Sequence, residues 1–374
     1  MESLVGMVSD FWRNKRVLLT GHTGFKGAWL AQWLSLSGAD VTGYALDPPT
    51  EPNLFAVADV GSSIRSIIGD VRDVDRLNNV MELAKPEIVF HLAAQSLVRR
   101  SYTDPAETYS VNVLGTVNVF EAIRRTRGVR AIVNISSDKC YVNQGTDGGY
   151  KEGDQLGGFD PYSTSKACSE LVTAAYQQSL FAGNETALAS ARAGNVIGGG
   201  DWAEDRLFPD IIRSIESREA VKIRSPLAIR PWQHVLDPLN GYLTLAEKLW
   251  TDPDLAIGAW NFGPVDQPDR SVAWVVDRVT HLWGEGATWL RDDDPHPHET
   301  NILRLDSNKA VAGLGWYPCW SLEMALQHSV KWHKSLRDGA DMHTQCQNDI
   351  LAFQESLRHA APAVKGFKVM RSEF

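Results

Sequence analysis

The chain has 374 residues, a formal net charge of −9 and 43% hydrophobic residues. This length predicts about two domains, and the apolar content suffices for a large core, which excludes a disordered or collagen-like chain. The acidic balance argues against nucleic-acid binding, because contacts to phosphate backbones need clustered Lys and Arg. We expect no membrane span and no signal peptide, because no long apolar stretch and no basic start followed by an apolar run is present.

The cysteines and one His-containing loop bear on redox state and metals. Cys140, Cys168, Cys319 and Cys346 lack C-x-x-C spacing, which argues against a zinc ribbon or a disulfide framework and fits a cytoplasmic protein. The loop Asp292–His298 contains two prolines. These prolines exclude a helical ligand face, so we interpret the loop as solvated and predict no metal.

Strand and helix signals alternate through the first half of the chain. Short apolar runs predict strands at Arg16–Thr20, Asp40–Asp47, Ser66–Asp70, Glu87–Ala93, Ala131–Ser137 and Glu185–Ala193. Helices are predicted at Ala28–Leu36, Val74–Ala84, Pro105 to about Arg127, and Pro161–Phe181. Apolar strands separated by helices indicate a parallel sheet covered on both faces. The predicted fold is therefore α/β, a Rossmann-type doubly wound parallel sheet.

The alternation fails from about Asn195 onward. Helices are predicted there at Val235–Trp250, Val272–Trp283 and Ser321–Ser335. Beyond about Asp338 no pattern predicts an element. We interpret residues 1–193 as the Rossmann domain and 194–340 as a smaller mixed domain with one or two segments returning to the sheet. Residues 341–374 are interpreted as a C-terminal tail.

A glycine-rich turn separates the first strand from the first helix. Residues 20–27 read T-G-H-T-G-F-K-G, and glycines there let backbone N–H groups approach a pyrophosphate at the helix N-terminus. Asp47 lies 20 residues after Gly27, where a carboxylate accepts from ribose hydroxyls and repels a 2′-phosphate. The pattern predicts an NAD site, although Lys26 is a cation that could tolerate that phosphate. The candidate residues in the turn are Gly21, Thr23, Gly24, Phe25, Lys26 and Gly27.

Tyr162 and Lys166 lie four residues apart and share one face of a helix. A Lys cation beside a phenol should lower the pKa of the Tyr. The helix follows the fifth strand, which ends at Ser137-Asp138-Lys139, and ligands bind at such strand ends. We therefore predict that Tyr162 removes a proton from a substrate hydroxyl while a hydride leaves the same carbon. The competing interpretation is a solvated Tyr–Lys pair.

These motifs together resemble the extended short-chain dehydrogenase/reductase family of nucleotide-sugar epimerases and dehydratases, over about Arg16 to Ser335. The landmarks are the 20–27 turn, Asp70-Val71, His91-Leu92-Ala93-Ala94, Asn112-x-x-Gly115-Thr116, Tyr162-x-x-x-Lys166 and Arg192-x-x-Asn195. The resemblance implies NAD as cofactor and a catalytic role for Ser137 beside Tyr162 and Lys166. It also implies cofactor-binding roles for Asp70, Val71, Leu92, Ala93, Ala94, Asn112, Tyr162, Lys166 and Arg192.

Residues 137–139 distinguish the subfamilies. The family's 4,6-dehydratases carry an acid here, its epimerases usually carry small neutral residues, and Lys139 replaces the Glu that serves as base in the dTDP-glucose enzyme. The segments GHTGFKG, SDKCY and RPWQHVLDPLNGY resemble dehydratases that act on CDP-glucose. The implied reaction removes water to give CDP-4-dehydro-6-deoxy-glucose, for deoxysugars such as those of lipopolysaccharide O-antigens. Asp138 would protonate the leaving 6-hydroxyl, and Lys139 would take the C5 proton.

The resemblance also suggests substrate-side residues and an assembly. Arg206 and Arg230 are candidate phosphate partners, with Asn195 on the diphosphate side, whereas Trp232 and His234 either line the substrate or pack in the core. We expect a homodimer or homotetramer, because helices near Pro105–Arg127 and Pro161–Phe181 suit the family's four-helix interface. The alternatives are a UDP-N-acetylglucosamine inverting 4,6-dehydratase, a 4-epimerase, or a non-enzymatic NAD-sensing protein.

Overall fold

The computed structural model describes residues 10–144, 148–265, 270–292 and 304–364, with side chains described through residue 359. The strands in this part of the chain are β1 (Arg16–Thr20), β2 (Asp40–Ala45), β3 (Arg65–Ile68), β4 (Ile88–His91), β5 (Ala131–Ile135), β6 (Ala187–Ala193), β7 (Val196–Ile197), β8 (Val221–Ile223), β9 (Gln233–His234), β10 (Gly258–Phe262) and β11 (Trp289–Arg291). All six strands predicted from the sequence are present, each within a few residues of its expected bounds.

Helices connect these strands and follow them. They are α1 (Phe25–Leu36), α2 (Leu54–Val57), α3 (Val74–Ala84), α4 (Val98–Thr103), α5 (Pro105–Tyr109), α6 (Gly115–Arg125), α7 (Pro161–Ala175), α8 (Leu207–Glu216), α9 (Leu236–Thr251), α10 (Pro253–Ala256), α11 (Val272–Trp283), α12 (Asn308–Leu314), α13 (Leu322–Arg337) and α14 (Met342–Val364). A π-helical turn at Ser110–Leu114 joins α5 to α6, and a second one at Tyr176–Leu180 extends α7.

The main sheet has the order β10-β6-β5-β4-β1-β2-β3, and every neighbouring pair is parallel. The chain winds outward from β1 to β3 and then returns to place β4 on the other side of β1. This reversal opens a crevice at the carboxyl ends of β1 and β4, which is where such sheets bind ligands. The predicted Rossmann-type fold is confirmed, and the segment Gly258–Phe262 returns to the sheet beside β6.

Helices cover both faces of this sheet. Val17 and Leu19 of β1 belong to the apolar cluster that contains α1 and α9, whereas Leu18 belongs to a cluster with α3 and α6. A separate cluster joins α8, α11 and α13 in the C-terminal part. Because Leu236 and Leu239 of α9 share the cluster of α1, the apolar core is continuous across residue 193, and the predicted domain boundary there stays a prediction.

The C-terminal segment differs from its prediction. Residues 342–364 form helix α14 where no element was expected. Among the described residues, no helix combines the length and apolar character that crossing a bilayer requires. All four cysteines are free thiols. Most of the loop Asp292–His298, beyond residue 292, lies outside the described residues.

Candidate active site

The glycine-rich turn at the end of β1 has no room for a side chain at two of its glycines, Gly21 and Gly27. Gly21 has a φ of +78°, and a Cβ on it would lie 2.8 Å from the backbone N of Ala93. A Cβ on Gly27 would lie 2.1 Å from the carbonyl oxygen of Gly21. Gly24 precedes α1, which begins at Phe25, and has no side chain to cap the helix. The first N–H groups of α1 therefore remain available to a pyrophosphate, and the turn fits the dinucleotide that its sequence predicted.

Asp47 lies beside this turn. The Thr23 hydroxyl donates a hydrogen bond of 2.8 Å to the carbonyl oxygen of Leu46, which fixes the end of β2 against the turn. Asp47 follows Leu46 and is exposed. Its carboxylate is thus open to a bound ribose, as the sequence predicted.

Lys26 also lies in this turn, but the charged groups that act on it are not those near Asp47. The pKa of Lys26 is lowered to about 8, mainly by burial and next by the charge of Arg206, while the charge of Asp138 opposes both effects. Lys166 and Asp201 also act on it. Lys26 therefore interacts with the residues at the carboxyl end of β5, and the structure does not support its predicted proximity to a 2′-phosphate.

A buried chain of hydrogen bonds holds the strand ends together. Thr20 Oγ1 accepts the backbone N–H groups of Leu92 and Ala93, each at 3.1 Å. Its own hydrogen is left for His91 Nδ1 at 2.7 Å, so His91 carries its proton on Nε2 and donates it to Thr116 Oγ1 at 3.2 Å. This chain sets the position of Leu92 and Ala93, which with Ala94 are half-buried beside the glycine turn.

Asn112 positions the loop after β4. Its Oδ1 accepts from the backbone N of Gln95 at 2.8 Å, and its Nδ2 donates to Ser165 Oγ at 2.8 Å. Ser165 in turn donates to the carbonyl oxygen of Tyr162. Because the amide of Asn112 is buried and bonded to protein groups, it connects this loop to α7, and the structure does not support direct contact with the cofactor.

Asp70 and Val71 follow β3 at the predicted adenine end. The pKa of Asp70 is held below its usual value, mainly by the hydrogen bond from Arg72. The Tyr44 hydroxyl donates to the carbonyl oxygen of Asp70 at 2.7 Å. Val71 is buried, and a Cβ on Gly115 would lie 2.7 Å from its Cγ2, so only glycine allows α6 to approach so closely. The adenine contacts of Asp70 and Val71 stay predictions.

Ser137 and Asp138 form a buried acidic centre after β5. The Ser137 hydroxyl donates to Asp138 Oδ1 at 3.0 Å and accepts from the backbone N of Lys139 at 3.2 Å. Burial raises the pKa of Asp138, against the opposing charge of Lys139. A Cβ on Gly194 would lie 2.9 Å from Asp138 Oδ2. The site can therefore hold a carboxylic acid that is not exposed to bulk water.

Tyr162 and Lys166 are both buried on α7. Tyr162 is hydrogen-bonded to Ser137, yet burial raises its pKa to about 12. Burial also lowers the pKa of Lys166 to about 8, with Glu170 opposing. Lys166 Nζ lies 3.4 Å from the carbonyl oxygen of Ile135. The cost of burying a phenolate therefore outweighs the charges that act on Tyr162, and Lys166 is not among the causes of the shift. That Lys166 lowers the pKa of Tyr162 stays a prediction.

Arg192 does not reach the cofactor site. Its guanidinium bonds to Glu170 Oε2 at 2.7 Å, to the Tyr141 hydroxyl at 2.6 Å and to the carbonyl oxygen of Glu152 at 3.1 Å. Ser190 also donates to Glu170. Both partners of the ion pair are almost completely buried. Arg192 therefore joins β6 to α7 and the 141–152 segment, and its predicted cofactor contact is not supported.

Two of the predicted substrate-side cations lie near the catalytic residues. Arg206 pairs with Asp201 at 2.9 Å and donates to Ser96 Oγ at 3.1 Å. Its charge lowers the pKa of Tyr162, against the larger effect of burial. The charge of Arg230 likewise lowers the pKa of Asp138, against the larger effect of burial. Both guanidinium charges therefore act at the catalytic end of the sheet, where an anionic ligand would be attracted to them.

The other residues predicted on the substrate side, Asn195, Trp232 and His234, differ in how they are placed. Asn195 is half-buried, and its carbonyl oxygen accepts from the backbone N of Gln233 where β7 pairs with β9. Trp232 is buried in the cluster of α8, α11 and α13. His234 is buried with its ring 4.7 Å from that of Trp320, and burial holds its pKa well below the usual value. Trp232 and His234 are packed in the core, and a substrate role for them is not supported.

Sequence reasoning missed several residues of this site. Asp201 and Ser96 hold Arg206, and Glu170 holds Arg192. Ser96 lies in the loop that follows the fourth strand, and Glu170 lies four residues beyond Lys166 on the same helix face. Tyr242 on α9 ends the segment RPWQHVLDPLNGY that carried the resemblance, but it was not singled out as a site residue. Burial and the charge of Asp138 raise its pKa, and its buried hydroxyl has no hydrogen-bond partner in the described part of the chain.

Comparisons with known proteins agree with this geometry. The family model described as "NAD dependent epimerase/dehydratase family" matches residues 17–258. The chain is 52% identical over 338 residues to a CDP-glucose 4,6-dehydratase of Salmonella typhimurium, which covers 89% of this chain and 94% of that protein.

Solved structures extend the likeness to the fold. A UDP-glucose 4-epimerase of Thermotoga maritima, solved with UDP-glucose, has a TM-score of 0.73 at 21% identity, covering 86% of this chain and 99% of that one. A dTDP-glucose 4,6-dehydratase of Bacillus anthracis, solved with NAD, has a TM-score of 0.71 at 20% identity, covering 87% and 98%. Epimerase and dehydratase thus share this fold. The glycine turn, the Ser137–Tyr162–Lys166 group and the family match together establish that the chain belongs to the NAD-dependent epimerase/dehydratase family.

Proposed function

We propose that the protein is a CDP-glucose 4,6-dehydratase, a lyase that converts CDP-glucose to CDP-4-dehydro-6-deoxy-glucose and water. The observation that carries the proposal is the buried Asp138, bonded through Ser137 to the catalytic helix. An epimerase has no step that needs this acid, whereas a dehydratase must protonate a leaving hydroxyl. The choice of CDP-glucose is supported by the 52% identity to the Salmonella enzyme.

Each catalytic residue has one task in this reaction. Tyr162 takes the proton of the 4-hydroxyl, and Ser137 holds the forming ketone by a hydrogen bond. NAD held at the glycine turn by residues 21–27 and Asp47 would supply the hydride chemistry that links C4 and C6. Lys166 lies on the face of α7 that carries Tyr162, and it would hold the nicotinamide ribose there. The C4 ketone makes the C5 hydrogen acidic, and Lys139 removes it as Asp138 protonates the 6-hydroxyl.

The substrate's diphosphate needs cations, and the candidates at this end of the sheet are Arg206, Arg230 and Lys26. Arg206 is the first, because Asp201 and Ser96 hold its guanidinium in place. Arg230 and Lys26 act electrostatically on Asp138, so they are near the sugar end of the site. Asn195 lies at the diphosphate side. These assignments place the sugar between α7 and the loop that carries Arg230.

Product mass tests the function directly. Incubation of the purified protein with CDP-glucose should give a product lighter by one water, and dTDP-, UDP- and GDP-glucose should react more slowly. Tyr162→Phe keeps the ring but removes the hydroxyl, so activity should fall by roughly 10²-fold or more. A product of unchanged mass with inverted C4 would identify an epimerase instead, and no turnover of any nucleotide sugar would favour an NAD-sensing protein.

Lys139 is tested by isotope exchange. If Lys139 removes the C5 proton, Lys139→Met should stop incorporation of solvent deuterium at C5 of the product, whereas wild type should incorporate it. Exchange in Lys139→Met at the wild-type rate would assign the C5 base to another group.

A homodimer in the cytoplasm fits these features. Tyr109, Leu114 and Leu171 expose apolar side chains on α5, the adjoining π-helical turn and α7, and these elements pack side by side. Burial of this apolar surface against a second copy would stabilise a dimer. The free cysteines fit a reducing compartment. We propose residues 1–193 as the cofactor domain and residues 194–340 as the substrate domain, followed by residues 341–374.

A further inference from the structure

The catalytic groups lie on two separate segments of the chain. Tyr162 and Lys166 are on α7, whereas Asp138 and Lys139 belong to the 3₁₀ turn Asp138–Cys140 that follows β5. Oxidation at C4 uses the first pair, and loss of water uses the second pair. One sugar has to meet both pairs in succession, so the position of the turn relative to α7 has to be fixed.

Tyr141 comes directly after this turn and is 2% exposed. Its hydroxyl donates to Asn261 Oδ1 at 2.8 Å and accepts from Arg192 Nη1 at 2.6 Å. Asn261 Nδ2 donates to the backbone carbonyl oxygen of Tyr150 at 2.8 Å, which fixes the amide so that its oxygen faces Tyr141. The guanidinium carbon of Arg192 lies 4.9 Å from the centre of the Tyr141 ring. Both the ring and the hydroxyl of Tyr141 are therefore held in place.

Arg192 extends this contact to the catalytic helix. Its Nη2 donates to Glu170 Oε2 on α7 at 2.7 Å, and Ser190 Oγ donates to the same oxygen at 2.6 Å. The side chains of Arg192 and Glu170 are 3% and 2% exposed. Hydrogen bonds between charged groups are stronger in such surroundings than in water. The Asp138–Cys140 turn is thus connected to α7 through Tyr141, Arg192 and Glu170.

The helix has further connections that do not involve the turn. Asn134 Nδ2 of β5 donates to Ser169 Oγ at 3.1 Å and to Thr173 Oγ1 at 2.7 Å. Asn112 Nδ2 donates to Ser165 Oγ at 2.8 Å. These bonds hold α7 against the sheet and against the loop after β4. A change that loosens the turn should therefore leave the helix in place, together with the C4 oxidation that its residues perform.

We propose that Tyr141 and Arg192 are positioning residues for the loss of water, because they hold the Asp138–Cys140 turn against α7. The acid and the base of the elimination, Asp138 and Lys139, then face the sugar that has just been oxidised at the helix. Tyr141 and Arg192 act through the turn and do not touch the substrate. The inference rests on the proposed dehydratase function.

The two halves of the reaction can be followed separately. CDP-6-deoxy-glucose has no 6-hydroxyl, so the holoenzyme can oxidise it at C4 but cannot remove water from it. The stopped-flow absorbance of the reduced nicotinamide then gives the oxidation rate alone. With CDP-glucose, the decay of the same absorbance reports water loss and the return of the hydride, and the product mass confirms that water has left.

Tyr141→Phe removes one hydroxyl and keeps the ring that stacks on Tyr150. We expect this variant to oxidise CDP-6-deoxy-glucose at close to the wild-type rate. Water loss from CDP-glucose should slow by roughly 10²-fold, the cost of a misplacement of about 1 Å, so reduced nicotinamide should accumulate. Arg192→Lys keeps the charge but loses the fork of guanidinium donors, and it should give the same pattern.

Tyr150→Phe is the matched control. It removes a hydroxyl from the other ring of the same stack, but that hydroxyl donates to Asn143 Oδ1 and accepts from the backbone N of Gln144. Because neither partner belongs to the turn or to α7, oxidation and water loss should both stay near their wild-type rates.

Hydrogen exchange gives a readout that does not depend on activity. The backbone N–H groups of Lys139 and Cys140 are hydrogen-bonded to Ser137. Loosening of the turn should therefore speed their exchange in Tyr141→Phe, whereas α7 should exchange as it does in wild type.

Two results would overturn the positioning role. Equal slowing of oxidation and water loss in Tyr141→Phe would mean that the hydroxyl only supports the fold. Unchanged rates of both steps would mean that the turn is held without it. A wild type that releases no water from CDP-glucose would overturn the function itself, and that result does not involve the variants.

Discussion

At Tyr162 the cost of burying a phenolate exceeds the attraction of the nearby cations. Its pKa rises to about 12 although Arg206 and the bond to Ser137 both lower it. The same cost lowers the pKa of Lys166 to about 8. Four-residue spacing thus places two ionisable groups on one helix face, but the dielectric around them decides which protons they hold.

Asp47 provides a prediction about cofactor choice. Replacement of Asp47 by Ala should weaken NAD binding by about 1.5–3 kcal/mol, the range for hydrogen bonds to a charged group. NADP should bind wild type more weakly than NAD does, because its 2′-phosphate would face this carboxylate, and the variant should narrow that difference. Calorimetric titration of the cofactor-free proteins with NAD and with NADP measures the affinities that this prediction compares. Equal binding of NAD and NADP by wild type would contradict the role of Asp47.

His333 provides a prediction about pH and stability. Its ring is 1% exposed, and neither nitrogen has a hydrogen-bond partner among the described residues. Burial lowers its pKa to about 3 from 6.5, so between these values the unfolded chain binds a proton that the folded chain does not. The stability that neutral His333 contributes is full above pH 6.5 and is lost as the pH falls through this window.

His333→Leu removes that titration. Between pH 7.5 and pH 5, wild type should lose about 2 kcal/mol of unfolding free energy that the variant keeps. Urea unfolding of both proteins at the two pH values gives the difference, and any cavity cost of the substitution cancels between them. The same pH dependence in both proteins would mean that His333 is protonated in the folded state.

At the scale of elements, α14 is the largest departure from the sequence prediction. Its buried residues Met342, Cys346, Ile350 and Phe353 recur at helical spacing, so a signal was present. Polar and charged residues fill the positions between Met342 and Ile350, which obscured the narrow apolar stripe. Cys346 Sγ lies 3.2 Å from Trp332 Nε1, and Phe353 packs edge-on against Trp33 of α1. The helix therefore supports the element that begins at the cofactor turn.

Phe353→Ala tests this support. Phe353 is fully buried, so its truncation should lower the unfolding free energy by about 3–5 kcal/mol. Chemical denaturation measures the loss, and Asn348→Ala, at an exposed position of the same helix, should change stability little. A loss below about 1 kcal/mol would mean that α14 contributes little to the core.

The strands of the sheet could be predicted because each is a short apolar run between helices, and α3 and α11 match their predicted bounds residue for residue. The short strands β8 and β11 could not be predicted, because they pair with each other although they are distant in sequence. Within the site, motif spacing brought Tyr162 to Ser137. It failed for Arg192, Trp232 and His234, because motif residues do not reveal whether a side chain faces the ligand or the core.

At the scale of the whole molecule, the exposed apolar side chains on α5 and α7 predict the assembly. Leu171 is 59% exposed on α7, and a lysine there would place a charge in the proposed dimer interface. Leu171→Lys should therefore convert the dimer to a monomer in light scattering at micromolar concentration. Leu83→Lys alters a similarly exposed leucine on α3, away from these helices, and should leave the dimer intact. A monomeric wild type would contradict the proposed interface.

The contact between Trp33 and Phe353 has a consequence during protein synthesis. Their rings lie 5.6 Å apart, but 320 residues of chain separate them. At roughly 5–20 residues per second, the ribosome adds Phe353 about 15–60 s after Trp33. Until then the outer face of α1 exposes indole surface on a nascent chain whose sheet is otherwise complete. Chaperones that bind apolar segments would therefore find a target at α1 until the segment that carries Phe353 has been made and has packed against it.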